Sequence, residues 1–228
     1  MPSIKEHILI FLAYISDVEP EVNAAKEIVE SINRAHESLG IELDLRTWRD
    51  VPEEFGNPQE KINRTLVENC DVFIGLIWKK WGTPTGQSDC GFREEFKLAE
   101  RRYNQAKQPT ILLYAKAVNE QAIDDEEKED FSRIKEFKNE IINEHKGFLI
   151  EFDIIDKWKE IIRERLTKYV VDKHVSTPET IAEPQKSQVV STVERHEVIE
   201  KVKTPKEIQE LINDLAEYKP NIEKISNI

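Results

Sequence analysis

Apolar and polar positions alternate in blocks along the first three quarters of the chain. Residues 8–15 form an unbroken apolar run, the pattern of a strand covered on both faces. Ser16-Asp17 ends the run and offers a cap. Residues 19–39 then place Val22, Ala25, Ile28, Val29 and Ile32 at helical spacing until Gly40 stops them. Residues 41–48 (IELDLRTW) alternate, which predicts a strand with one more polar face, at a sheet edge. A loop with Pro52 and Gly56 follows, and Pro58 opens a helix over 58–69. Residues 71–78 (DVFIGLIW) are the clearest buried strand. A Gly-containing loop leads to a helix over 91–106, with Phe92, Phe96, Ala99 and Tyr103 on one stripe. Residues 110–114 (TILLY) predict a fourth strand. An acidic stretch becomes a helix with Ile134, Phe137, Ile141 and Ile142 as its apolar stripe. The run FLIEF predicts a fifth strand, and residues 154–171 a last helix with Trp158, Ile161, Ile162, Leu166 and Tyr169 inward.

Strands that alternate with helices imply a parallel sheet, because each crossover helix returns the chain to the same end. The expected class is α/β, a flavodoxin-like five-stranded parallel sheet flanked by helices, over residues 1–171. Ligands of such sheets bind beyond the carboxyl ends of the strands. That rule selects the loops 14–17, 48–56 and 78–91. After residue 171 the character changes. Residues 172–204 read as a linker rich in Ser, Thr, Pro, Gln and charge. Residues 205–228 hold a short amphipathic helix with Ile208, Leu211, Ile212 and Leu215 on one face, too small to fold alone.

Composition narrows the function classes. Charged residues make up 34% of the 228-residue chain and the formal net charge is −12, which argues against nucleic acid or an anionic membrane as partner. No stretch approaches the ~20 apolar residues of a membrane helix, and the N-terminal run reads as a strand and not as a secretion signal. Cys70 and Cys90 form no CxxC pair and the five histidines are scattered, so no metal site is expected and a reducing cytoplasm fits.

The candidate chemistry lies in WKKWGTPTGQSDCGFREEFKLA, residues 78–99. Trp78, Trp81 and Phe92 offer flat apolar surfaces, Lys79 and Lys80 suit phosphates, and Ser88 or Asp89 is placed to cap the helix. Glu95 falls near the buried stripe, and Glu94 about 100° away. A carboxylate at the rim of an apolar pocket is what cleavage of an N-glycosidic bond requires, since the ribosyl centre becomes oxocarbenium-like. The helix N-terminus would favour its ionised form. Each feature also has a plain role: paired glutamates suit any first helical turn, and the tryptophans suit core or loop anchors. Cys90 near a helix N-terminus is a weaker nucleophile candidate, with no histidine nearby in sequence.

The first strand ending near Ser16-Asp17, the third strand DVFIGLIWKKWG and the helix start SxxGxxEEFxxA together resemble the DUF4062 family. That family is similar to TIR domains and, more distantly, to nucleoside 2-deoxyribosyltransferases. The resemblance covers residues 8–114, with weaker support to residue 171. It implies a TIR-like fold and, through catalytic relatives, cleavage of the glycosidic bond of NAD or a nucleoside by a glutamate at the start of the helix after the third strand. It selects Glu95, with Glu94 as the alternative. The expected substrate-binding set is Tyr14, Ser16, Trp48, Trp78, Trp81, Gly82 and Ser88. NAD enters as substrate, with no cofactor. The resemblance implies an effector, as in prokaryotic defence, that works through self-association or a protein sensor, since the chain has no P-loop sequence. A non-catalytic TIR-like interaction module is the alternative. A nucleoside deoxyribosyltransferase is third, because the loop reads Asp89-Cys90-Gly91-Phe92 where those enzymes carry Asp-Gly-Thr. Ala13-Tyr14 and Lys80 also replace the family's usual Ser-Ser pair and Arg.

Overall fold

A computed structural model describes residues 5–143 and 149–176. The linker from residue 177 onward and the C-terminal amphipathic helix expected from the sequence lie outside the described residues. Five strands, β1 (Glu6–Tyr14), β2 (Ile41–Arg46), β3 (Val72–Ile77), β4 (Thr110–Lys116) and β5 (Leu149–Phe152), form one sheet in the order β2-β1-β3-β4-β5. Every pairing is parallel. This is the flavodoxin-like arrangement, and β2 is an edge strand as its more polar alternation predicts.

The pleat sends alternate residues to opposite faces. Ile8, Ile10, Leu12 and Tyr14 of β1 join Val72, Ile74 and Leu76 of β3 under α1 (Glu19–Ala35) and α5 (Ile155–Ser176). Phe11, Ala13, Phe73 and Ile77 face the other way, under α2 (Pro58–Ile62), α3 (Gly91–Ala106) and α4 (Lys128–Asn143). Burial on both faces explains why these strands read as continuous apolar runs. Gly75 lets α3 approach closely: a Cβ there would lie 2.8 Å from Leu113 and 3.1 Å from Phe92.

Several elements depart from the pattern-based reading. The second helix is only one α turn before Asn63–Val67 winds as π-helix. Arg102 from α3 reaches its end, donating from Nη1 to the Val67 carbonyl at 2.6 Å and the Cys70 carbonyl at 3.0 Å. Tyr103 and Ile142, expected inward, are 42% and 55% exposed. Tyr103 lies one position beyond Arg102, which takes the inward reach, and Ile142 sits beside Ile141, which does the packing. The last helix continues past residue 171 to Ser176, and its last core residue is Val170.

Candidate functional site

The strand order reverses at β1 and β3, whose following helices leave to opposite faces. The crevice between their loops is where this architecture binds ligands. Here Asp17 bridges it. Its Oδ2 accepts the backbone N–H groups of Lys79 at 3.2 Å and Lys80 at 3.0 Å. Asp17 is therefore not the cap of α1, whose N-cap residue is Val18 and which has no side-chain cap. Burial raises the Asp17 pKa, opposed by the two N–H bonds, and its Oδ1 is buried with no hydrogen-bond partner among the described residues.

The two glutamates project as their phase predicts. Glu95 is buried, and Glu94 is half-buried. Gln59 Nε2 donates to Glu95 Oε1 at 3.0 Å, and Asn63 Nδ2 donates to Glu94 Oε1 at 2.7 Å. Thr85, from the loop after β3, donates its hydroxyl to Glu94 Oε2. Gln59 and Asn63 are one helical turn apart, so both amides face α3. Gly91 makes room for them: a Cβ there would stand 2.6 Å from Gln59 Oε1. Burial pushes the Glu95 carboxyl up to about 8, and the nearby Glu94 charge adds to the rise, against the Gln59 hydrogen bond. The expectation that the helix N-terminus keeps this carboxyl ionised is thus reversed. Desolvation of a charge outweighs a partial dipole that one turn of helix already attenuates.

The other expected residues divide into separate places. Tyr14 and Trp48 meet, with ring centres 6.2 Å apart, and Arg49 lies 4.4 Å over the Trp48 ring. Arg49 also donates to the Tyr14 hydroxyl at 3.1 Å and pairs with Glu19. Trp78 turns toward β4, where its Nε1 donates to the Ala117 carbonyl at 3.2 Å. Trp81 offers no open surface. It is fully buried, its ring is 5.8 Å from Phe137, and its Nε1 donates to Asp89 at 3.2 Å. Four residues of loop carry it down under α4, into the apolar layer its size favours. Ser16 and Gly82 are exposed, and Gly82 has φ +93°. Ser88 donates its hydroxyl to Asp89 and its N–H to Thr85, so it shapes the loop and does not cap α3.

The cap is Cys90, whose sulfur accepts the Arg93 N–H at 3.3 Å. Burial pushes its thiol up to about 12, which removes it as a thiolate nucleophile near neutral pH. Gln59, Asn63 and Thr85 escaped the sequence reading. The i, i+4 spacing of the two amides was visible, but their meeting with the glutamates depends on how α2 packs against α3.

Among the described residues, no group of three or more His, Cys, Asp or Glu side chains is placed to hold a metal ion. No helix among them is long and apolar enough to cross a membrane. Comparison with curated proteins finds no match. Residues 10–167 match a family described as a domain of unknown function, DUF4062. The match spans more than half of the 228 residues and nearly all of the sheet and its helices, and the chain belongs to that family.

Proposed function

We propose that this domain cleaves the N-glycosidic bond of NAD or a related nucleotide, with Glu95 and Glu94 as its carboxyl pair. One observation carries the reading: two adjacent glutamates at the site end of the sheet sit in different environments, with Glu95 desolvated and Glu94 held by Asn63 and Thr85. Neighbouring titratable groups driven into unlike environments are the recurrent sign of divided acid–base roles. In the reaction the C1′–N bond breaks and its electron pair leaves with the base. A carboxylate stabilises the oxocarbenium-like centre, and water adds to C1′ with loss of a proton. Nicotinamide leaves NAD as a neutral molecule and needs no proton. Glu95 therefore acts on NAD as the carboxylate, after losing the proton its burial favours.

The purified full chain, assayed over a range of protein concentrations, should release nicotinamide from NAD, and Glu95→Gln should abolish release. Offering a free nucleobase as acceptor separates hydrolysis from transfer. No turnover of NAD, NADP or nucleosides at any concentration rejects the proposal.

A second reading, a non-catalytic interaction module, has support in the Asp17 bridge across the crevice and in the fully exposed Phe55 of the loop after β2. It expects self-association or a protein sensor partner that depends on the sequence-predicted face of Leu211 and Leu215. Leu211→Asp with Leu215→Asp should then abolish assembly in light scattering.

A further inference from the structure

The carboxyl ends of β4 and β5 open on a cleft of about 200 Å³ built without the glutamate pair. Its walls include Trp78, Phe131 and three lysines, Lys116, Lys135 and Lys138, together with the carboxylates of Glu120 and Glu151. Lys116 comes from β4, and Lys135 and Lys138 are three apart on α4, so their side chains share a face. The ammonium groups are held, not loose. Lys116 Nζ lies 2.8 Å from Glu21 Oε1 and 4.3 Å from the centre of the Trp78 ring. Lys135 Nζ lies 2.8 Å from Glu120 and 4.8 Å from the centre of the Phe131 ring. Lys138 pairs with Glu151.

We propose that this cleft binds a phosphate monoester of sugar-phosphate size. An ammonium carries three N–H donors, and one carboxylate contact engages only part of that capacity. Three such heads around one cavity suit the spread charge of a phosphate. A carboxylate is better met by the planar fork of arginine, and no arginine among the described residues lines this cleft. Trp78, Phe131 and Ile134 provide apolar wall for the carbon part of the ester.

The three carboxylates differ in how they compete. Glu21 is 1% exposed and stays on Lys116, fixing that lysine in place. The side chains of Glu120 and Glu151 are 62% and 53% exposed. Water can take over their solvation when an anion enters, because exposed ion pairs are weak. The site is therefore anion-accepting although the whole chain is acidic.

Calorimetric titration of the full chain at low salt, with ribose 5-phosphate and with inorganic phosphate, tests this. The ester should bind saturably and more tightly than inorganic phosphate. Lys135→Gln with Lys138→Gln should weaken it by about tenfold or more, the loss of two charge-assisted contacts. Glu120→Gln with Glu151→Gln should tighten it. Lys157→Gln with Lys168→Gln, an equal charge change on α5, should leave it unchanged. Circular dichroism of each variant establishes that it is folded. Absence of saturable binding, no gain of the ester over inorganic phosphate, or equal weakening by the α5 pair overturns the proposal.

Discussion

One proton on Glu95 links the stability of the fold to the proposed activity. Its carboxyl is raised from 4.5 to about 8 by burial. Between those values the folded chain holds a proton that the unfolded chain has released, so stability falls as pH rises through that window, and the loss is complete above about pH 8. Glu95→Gln removes the titration. Thermal melts should show Glu95→Gln more stable than wild type at pH 7, by roughly 3 kcal/mol from the linkage relation. The two proteins should converge toward pH 4–5, near the ordinary value of a glutamate carboxyl. Activity should run the other way. If the carboxylate form acts on NAD, only about a tenth of Glu95 is ionised at pH 7, and kcat/KM should rise about tenfold to a plateau above pH 8. A flat profile from pH 6 to 9 would remove Glu95 from that role. The phase of Glu95 on its helix was legible in the sequence, from Phe92 and Ala99. Its protonation was not, because desolvation is a property of the packed interface and not of helical spacing.

At the scale of elements, the meeting of α2 and α3 decides the candidate site. Gly91 at the start of α3 has no side chain, and the Gln59 amide occupies that space against Glu95. Gly91→Ala should keep the fold, because the atom in the way is the end of a flexible side chain. It should displace Gln59 from Glu95 and shift the Glu95 titration further upward, since that hydrogen bond is the lowering influence on it. Carboxyl carbon chemical shifts followed against pH would measure the change, and an unchanged titration would mean that Gln59 does not hold Glu95. The helix over 91–106 was readable to the residue, since its apolar stripe is strong and Gly91 opens it. The second helix was misread as one continuous α segment. Its π turn ends at carbonyls met by Arg102, which stands 35 positions beyond Val67. No local pattern announces that.

Across the whole molecule, an ion pair with a buried carboxylate ties the sheet to the α1 and α5 layer. Glu21 on α1 accepts from Lys116 at the end of β4, and the Glu21 backbone carbonyl accepts from Trp158 Nε1 of α5 at 2.8 Å. Trp158 in turn stacks on Phe152, with ring centres 5.1 Å apart, and meets Tyr114 edge-on at 5.2 Å. Lys116→Met leaves Glu21 buried without its cation and should destabilise the fold by about 3–5 kcal/mol in denaturant titrations. Adding Glu21→Gln should restore most of that loss. If the single variant is as stable as wild type, the pair contributes nothing to holding these layers.

The sequence by itself determined the class of fold. Apolar runs of strand length between amphipathic helices can bury their faces only as a parallel sheet covered on both sides, and the polar alternation of residues 41–48 put that strand at the edge. The placement of Glu94 and Glu95 at the site end of the sheet followed from the same reasoning, because helical phase and strand direction are local and periodic. The tertiary structure alone decided which side chains are neighbours. Trp48, Trp78 and Trp81 read alike as aromatic residues of loops, yet one meets Tyr14, one lines the lysine cleft and one is buried under α4. The physical reason is range. Backbone periodicity is written every two or four residues, while burial, charge pairing and proton affinity depend on contacts between segments tens of residues apart.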